Sequence, residues 1–315
     1  MAHVPPLPGT PLYDAAKGVQ GLIDHVKRDT EELLKAGFDA ILFCNEGDRP
    51  YQLNAGLEAS AVMTRVVTEC RPTDVPYGVD FLWDEQCAMA IAVGSSAYFM
   101  REVITGTWES DMGLWQPDAA KLLRNRRAFG RDDLAIFANI TPEFASNIGQ
   151  RTPAQMAKST VVSSLPDVIL VSGPMAGSEP DVRTVADVRE AVEKDIPVLL
   201  DTGAKSTTIK EFFKFADGCI VGIASQVLGI VSVVLYITYG SVLIATVVGA
   251  RNNKIPSAPA NYYDMGKKLV PWSIVGIIWA IIVVLCMTLP AGSHVVAKMT
   301  IYFELAAAVW YFAVV

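Results

Sequence analysis

Carboxylates, glycines and hydroxyl side chains recur at the ends of short apolar runs in this 315-residue chain. CNEGDRP holds Asn45, Glu46 and Asp48, LWDE holds Asp84, and REVITGTWESDMG holds Arg101, Glu102 and Asp111. Asn139 and Glu143 follow, then SGPMAG with Ser172 and Gly173, then DTGAKSTT with Thr202, Gly203 and Lys205. Acids brought to one place repel one another. Repulsion raises some of their pKa values into the range of general acid–base work, and the same oxygens could hold a divalent cation as cofactor. Glu46 or Asp111 is then the acid or base and Arg101 a charge clamp. Asn45, Asp48, Asp84, Asn139, Ser172, Gly173, Thr202, Gly203 and Lys205 form the expected ligand-binding wall. The metal ligands are not specified by the sequence.

Each cluster alone has a plainer reading, because strand-to-helix loops use Asp, Asn, Ser and Thr as helix caps. The DTGAKSTT loop combines a glycine for close backbone approach with hydroxyls and a helix expected to open at residues 207–209, a combination suited to phosphate. It lacks the GxxxxGK[ST] spacing of a nucleotide P-loop. No histidine joins the acids: His3 ends the first apolar run, and His25 lies on a helix face.

The elements that must carry these residues alternate. Apolar runs at 2–4, 38–43, 77–82, 97–100, 134–138, 167–171, 197–200 and 218–221 read as eight strands, with helical periodicity between them. In residues 21–36, Leu22, Val26, Leu33 and Leu34 form one apolar stripe before Gly37 stops the helix. Eight βα units in about 220 residues predict a TIM barrel, whose sites lie at the C-terminal strand ends. A doubly wound sheet is the alternative.

The composition changes after Asp217. Residues 218–250 and 269–297 contain no Asp, Glu, Lys or Arg. Uncharged runs of this length predict membrane-spanning helices, drawn here at about 220–250, 270–289 and 299–315. Residues 218–315 carry five basic against two acidic side chains, which leaves a net −10 on the first 217 residues of a chain whose total is −7. An acidic domain has no electrostatic footprint for nucleic acid. The expected partners are a small phosphorylated ligand, membrane lipid and further copies of the chain. Five cysteines stand singly, as in a reducing compartment. The N-terminus lacks the basic and apolar regions of a secretory signal.

The segments HVPPLPGTPLY, FCNEGDRPY, YGVDFLWDE, REVITGTWESDMG, IFANI, LVSGPMAG and ADGCIVG, in that order, resemble the BtpA family over residues 1–222. This is a family of TIM-barrel proteins that includes a photosystem I biogenesis protein and SgcQ-like members from sugar operons. The resemblance implies a fold more than a reaction. Where the family pattern often has a basic Lys-His pair, this chain has Glu143-Phe144, so an anion contact is not expected there. The first strand begins midway and a normal eighth helix is missing, so the barrel is expected to be incomplete at both ends. Residues 223–315, with SQVLGIVSVVLYITYG, YYDMGKKLVPWSIVGIIWAIIVVLCMTLP and MTIYFELAAAVWYF, are similar to the last three helices of amino acid and GABA permeases of the amino acid–polyamine–organocation superfamily.

Three functions follow as expectations. The first is a membrane-anchored barrel that binds a small phosphorylated ligand, with the barrel cytosolic. The second is an amino acid transporter fragment that lacks the midplane substrate helices. The third is a non-catalytic assembly factor for membrane complexes, or a fused gene product whose halves do not form one unit.

Overall fold

The computed structural model describes residues 1–222, 242–244, 246–248, 252 and 269–288. The chain divides into two compact units, Met1–Ile223 and Ala224–Val315.

The first unit is built on a parallel sheet of eight strands: β1 (Ala2–His3), β2 (Ile41–Cys44), β3 (Tyr77–Asp80), β4 (Phe99–Glu102), β7 (Ala135–Asn139), β9 (Val168–Val171), β10 (Val198–Leu200) and β11 (Gly218–Cys219). They lie side by side in chain order. A doubly wound sheet reverses its strand order at a switch point, so the sequential order excludes that alternative and is the order of a TIM barrel. Ladders join neighbours from β1 to β11. The two edges meet through the Met1 ammonium group, which donates to the Val221 carbonyl at 2.6 Å.

Helices α1 (Gly18–Lys35), α2 (Leu57–Cys70), α3 (Glu85–Ser95), α4 (Ala119–Ala128), α5 (Pro153–Ser164), α6 (Val182–Ala191) and α7 (Ile209–Phe212) connect the strands. On α1 the expected stripe is buried at Leu22, Val26 and Leu33, with Ile23 beside them and Leu34 only partly covered. It packs in one core with Met63 and Val66 of α2 and Ile41 and Val79 of the sheet. Burial of each such side chain contributes about 1.5–3 kcal/mol, so this layer fixes the strand ends that carry the site. Gly37 ends the helix with φ +78°, a conformation open to glycine at little steric strain.

Two features depart from the expected pattern. The fourth strand is Phe99–Glu102, two residues further along than expected, because α3 closes through the left-handed Ser96 and the Ala97 amide bonds back to Ala92. Arg101 and Glu102 are therefore strand residues. The TGTWESDMG segment also forms a hairpin: β5 (Trp108–Ser110) pairs antiparallel with β6 (Gly113–Trp115) and with β8 (Ala145–Asn147). Gly113, at φ +99°, allows the tight return.

In the second unit the described helix is α8 (Leu269–Thr288), 20 residues long, with side chains described only at 269–278 and 281. Among the described residues no helix is long and apolar enough to cross a membrane. The expected spans at 220–250 and 299–315 lie largely or wholly outside the described residues.

Candidate functional site

Strands β3, β4 and β10 bring three charged side chains from their C-terminal ends into one buried cluster, and Glu143 joins it from the loop after β7. The Arg101 guanidinium donates from Nη1 to Asp80 Oδ2 at 2.7 Å, and from Nε and Nη2 to Asp201 Oδ2 at 3.1 and 2.6 Å. A longer contact of 3.4 Å runs from Nη2 to Glu143 Oε2. Arg101 is 4 % exposed and Asp80 fully buried. The Trp83 ring lies 5.5 Å from the guanidinium carbon, within cation–π range.

Hydrogen bonds continue outward. Ser172 Oγ donates to Asp201 at 2.8 Å, Asn139 Nδ2 donates to Ser172 Oγ at 2.8 Å and to Glu143 at 3.3 Å, and Asn139 Oδ1 accepts from the Thr141 amide. This chain of hydrogen bonds orients Asp201 and Glu143 beside Arg101.

Three carboxylates face one guanidinium, and burial makes each extra negative charge expensive. Burial, opposed by Arg101 and reinforced by Asp201, pushes the Glu143 pKa up to about 7. Burial likewise raises Asp80, against the pull of Arg101. It also raises Glu102, which accepts hydrogen bonds from the amides of Phe81 and Val103 beside the cluster. On Arg101 burial acts in the opposite sense, but Asp201, Asp80 and Glu143 outweigh it and hold the charge.

A cavity of about 100 Å³ opens above the cluster. Glu46, Trp83, Arg101, Glu143 and Asp201 line one part of it, and Ala176, Gly177, Thr202 and Gly203 another. The Glu46 pKa is raised by burial and then by Asp80. His3 also lines the cavity, and burial lowers its pKa to about 4, which keeps the imidazole neutral at physiological pH.

The expected site residues therefore separate. Glu46, Arg101, Thr202 and Gly203 line the cavity. Asn139 and Ser172 position its acids. Asn45 ties the β2 and β3 loops by accepting from the Leu82 amide at 2.7 Å and donating to the Leu82 carbonyl. Asp48 accepts from the Leu7 amide at 3.0 Å and anchors the N-terminal loop. Asp84 is the N-cap of α3, accepting from the Gln86 and Cys87 amides, and also accepts from the Ala55 amide. Asp111 lies exposed in the hairpin turn and does not line the cavity.

The Gly173 amide donates to Thr202 Oγ1 at 3.1 Å. Lys205 pairs with Glu179 at 3.1 Å, outside the cavity lining. The helix expected to open at 207–209 is only the four-residue α7. Among the described residues no group of three or more His, Cys, Asp or Glu side chains is arranged to hold a metal ion.

Asp80 and Asp201 were absent from the expected site because they sit inside or at the end of apolar strand runs. The signal was available: a charge within a strand buried on both faces needs a partner, and YGVDF and VLLD carry one each and FMRE two.

The BtpA family model matches residues 1–233. An sgc region protein of Escherichia coli K12, SgcQ, is 35% identical over 221 residues, 70% of this chain and 82% of its own length. The photosystem I biogenesis protein BtpA of Synechocystis is 29% identical over 225 residues, 70% of this chain and 77% of its own. Among solved structures, a 2,3-dimethylmalate lyase covers 81% of this chain and 90% of its own at 12% identity and TM-score 0.43. A likeness of that size assigns no function. The permease resemblance of the C-terminal segment gains no support from the family model or from these relatives, whose alignments cover about 70% of the chain. With the family model spanning the whole first unit and a relative above 30% identity, the chain belongs to the BtpA family.

Proposed function

We propose that the first unit binds a small phosphorylated ligand in the cavity above Arg101, with the phosphate at the glycine rim and the uncharged end against Glu46. The observation that carries this reading is the charge balance of the cavity floor. Asp80, Asp201 and Glu143 exceed the single charge of Arg101, so an anion is repelled from the floor, while a hydroxyl or carbonyl group finds hydrogen-bonding partners there. The rim residues Gly177, Thr202 and Gly203 add no acid to the cavity lining.

In this pose Glu46 is the acid or base, because it lines the cavity with a raised pKa, whereas Asp111 does not line it. Arg101 holds the acids in place. It does not clamp the ligand. Calorimetric titration of the full chain with glycerol 3-phosphate, ribose 5-phosphate and their unphosphorylated counterparts tests the reading. Saturable binding of a phosphorylated polyol, with none of its counterpart, is the expected result. Equal binding of both would remove the phosphate from the proposal.

The name of the Synechocystis relative favours a second reading, a non-catalytic role in assembling membrane complexes. Stable co-purification with such a complex, without ligand turnover, would support it over the first. Membrane attachment through residues 224–315, with the barrel cytosolic, is proposed on the sequence alone: residues 218–250 and 269–297 carry no Asp, Glu, Lys or Arg. Protease treatment of vesicles of known sidedness, following an N-terminal tag, tests it, and a tag protected on the lumenal side would overturn it.

A further inference from the structure

Glu179 carries an ion pair beside the cavity rim, although it does not itself line the cavity. It lies in the connection between β9 and α6, and its carboxylate is received from two directions: Lys205 Nζ approaches Oε2 at 3.1 Å, and the Thr208 hydroxyl donates to Oε1. The main chain beneath it is clamped. Gly203 adopts φ +78°, and a Cβ there would fall 2.4 Å from the Glu179 nitrogen. A Cβ on Gly173 would fall 2.0 Å from the Ser178 carbonyl oxygen. Thr202 Oγ1 accepts from the Gly173 amide and donates to the Ser178 carbonyl at 3.4 Å. The backbone at 178–179 is therefore seated on the 201–203 loop, and the Glu179 side chain is the part left to rotate.

We propose that Glu179 is an internal anion held in a subsite formed by Lys205 and Thr208, and that the phosphate of a ligand displaces it. The inference rests on the proposed binding of a phosphorylated ligand at the rim. An ammonium group and a hydroxyl converging on a carboxylate make a receptor for any compact oxyanion. The four-residue α7 is too short to add a helix-end field, so selectivity rests on these two side chains. The Lys205 side chain is 49 % exposed and that of Glu179 19 %, and an ion pair open to solvent through its lysine is partly screened. Exchange of one oxyanion for another is therefore favourable at modest ligand concentration.

The test is calorimetric titration of the full chain with inorganic phosphate, comparing wild type, Glu179→Gln, Lys205→Met and the double variant. Removal of the competing carboxylate is expected to tighten phosphate binding about fivefold, the upper worth of an exposed pair. Loss of the ammonium group is expected to weaken binding about tenfold in either background. Phosphate binding by wild type that is unchanged in Glu179→Gln overturns this inference and leaves the cavity reading standing. Tightening that persists in the double variant places the anion elsewhere and also overturns it. Failure of every chain to bind phosphate overturns the inference together with the phosphate part of the reading it rests on. Glu179→Ala, which lacks any acceptor, is the second variant should Glu179→Gln fail to fold.

Discussion

Arg101 on β4 and Asp201 after β10 are joined by two hydrogen bonds to the same carboxylate oxygen, 3.1 Å from Nε and 2.6 Å from Nη2. The pair links strands that are not neighbours in the sheet and lies 4 % and 1 % exposed. Asp80 and Glu143 hold the remaining parts of the guanidinium, so one cation fixes acids from three elements. That arrangement makes the floor of the cavity both rigid and negative.

Arg101→Met is expected to destabilise the protein by about 3–5 kcal/mol at neutral pH, since it leaves buried carboxylates without a partner. Asp201→Asn is expected to do less, because Asp80 and Glu143 still satisfy Arg101. Denaturant unfolding of the two variants checks the order. A smaller loss for Arg101→Met than for Asp201→Asn would show that the guanidinium is not the centre of the cluster.

Glu143 gives a pH dependence of stability. Its usual pKa of 4.5 rises to about 7 in the folded protein. Between those values the folded state holds a proton that the unfolded state has lost, so its contribution to stability decreases as pH rises through this window. The slope reaches at most about 1.4 kcal/mol per pH unit. Glu143→Gln has no such proton, and its unfolding free energy between pH 4.5 and 7 is expected to vary less than that of wild type. Parallel profiles for the two proteins would place the titrating group elsewhere.

Asp84 separates structural from functional acids. As the N-cap of α3, accepting two amide hydrogen bonds of 3.0 Å, it is expected to contribute about 1–2 kcal/mol, lost in Asp84→Ala. Ligand affinity should remain. Thermal melting with titration of the same variant tests both, and a loss of binding without a loss of stability would return Asp84 to the site.

Eight strands were legible because parallel strands buried on both faces read as apolar runs bounded by polar clusters, and the acids at their ends pointed to the strand ends where the Arg101 cluster lies. The charges inside those runs were less legible. Asp80 read as a strand residue and Arg101 as a clamp just past a strand end, and only the folded sheet brings Nη1 within 2.7 Å of Asp80. The loop anchor Asp48 and the cap Asp84 resembled site residues because loop anchoring, helix capping and ligand binding use the same side chains in the same loops. The hairpin carrying Asp111 was missed because WESDMGLW is short and its return depends on one glycine. The Glu179–Lys205 pair spans 26 residues, and no local pattern signals it.

The most direct test of the central claim is a crystal structure of the chain with ribose 5-phosphate bound. The phosphate is expected at the rim formed by Gly177, Thr202 and Gly203, with a hydroxyl of the sugar within about 3 Å of a Glu46 carboxylate oxygen. Density for the phosphate on Arg101, or for the ligand away from both this rim and the adjoining Lys205–Thr208 pair, would contradict it.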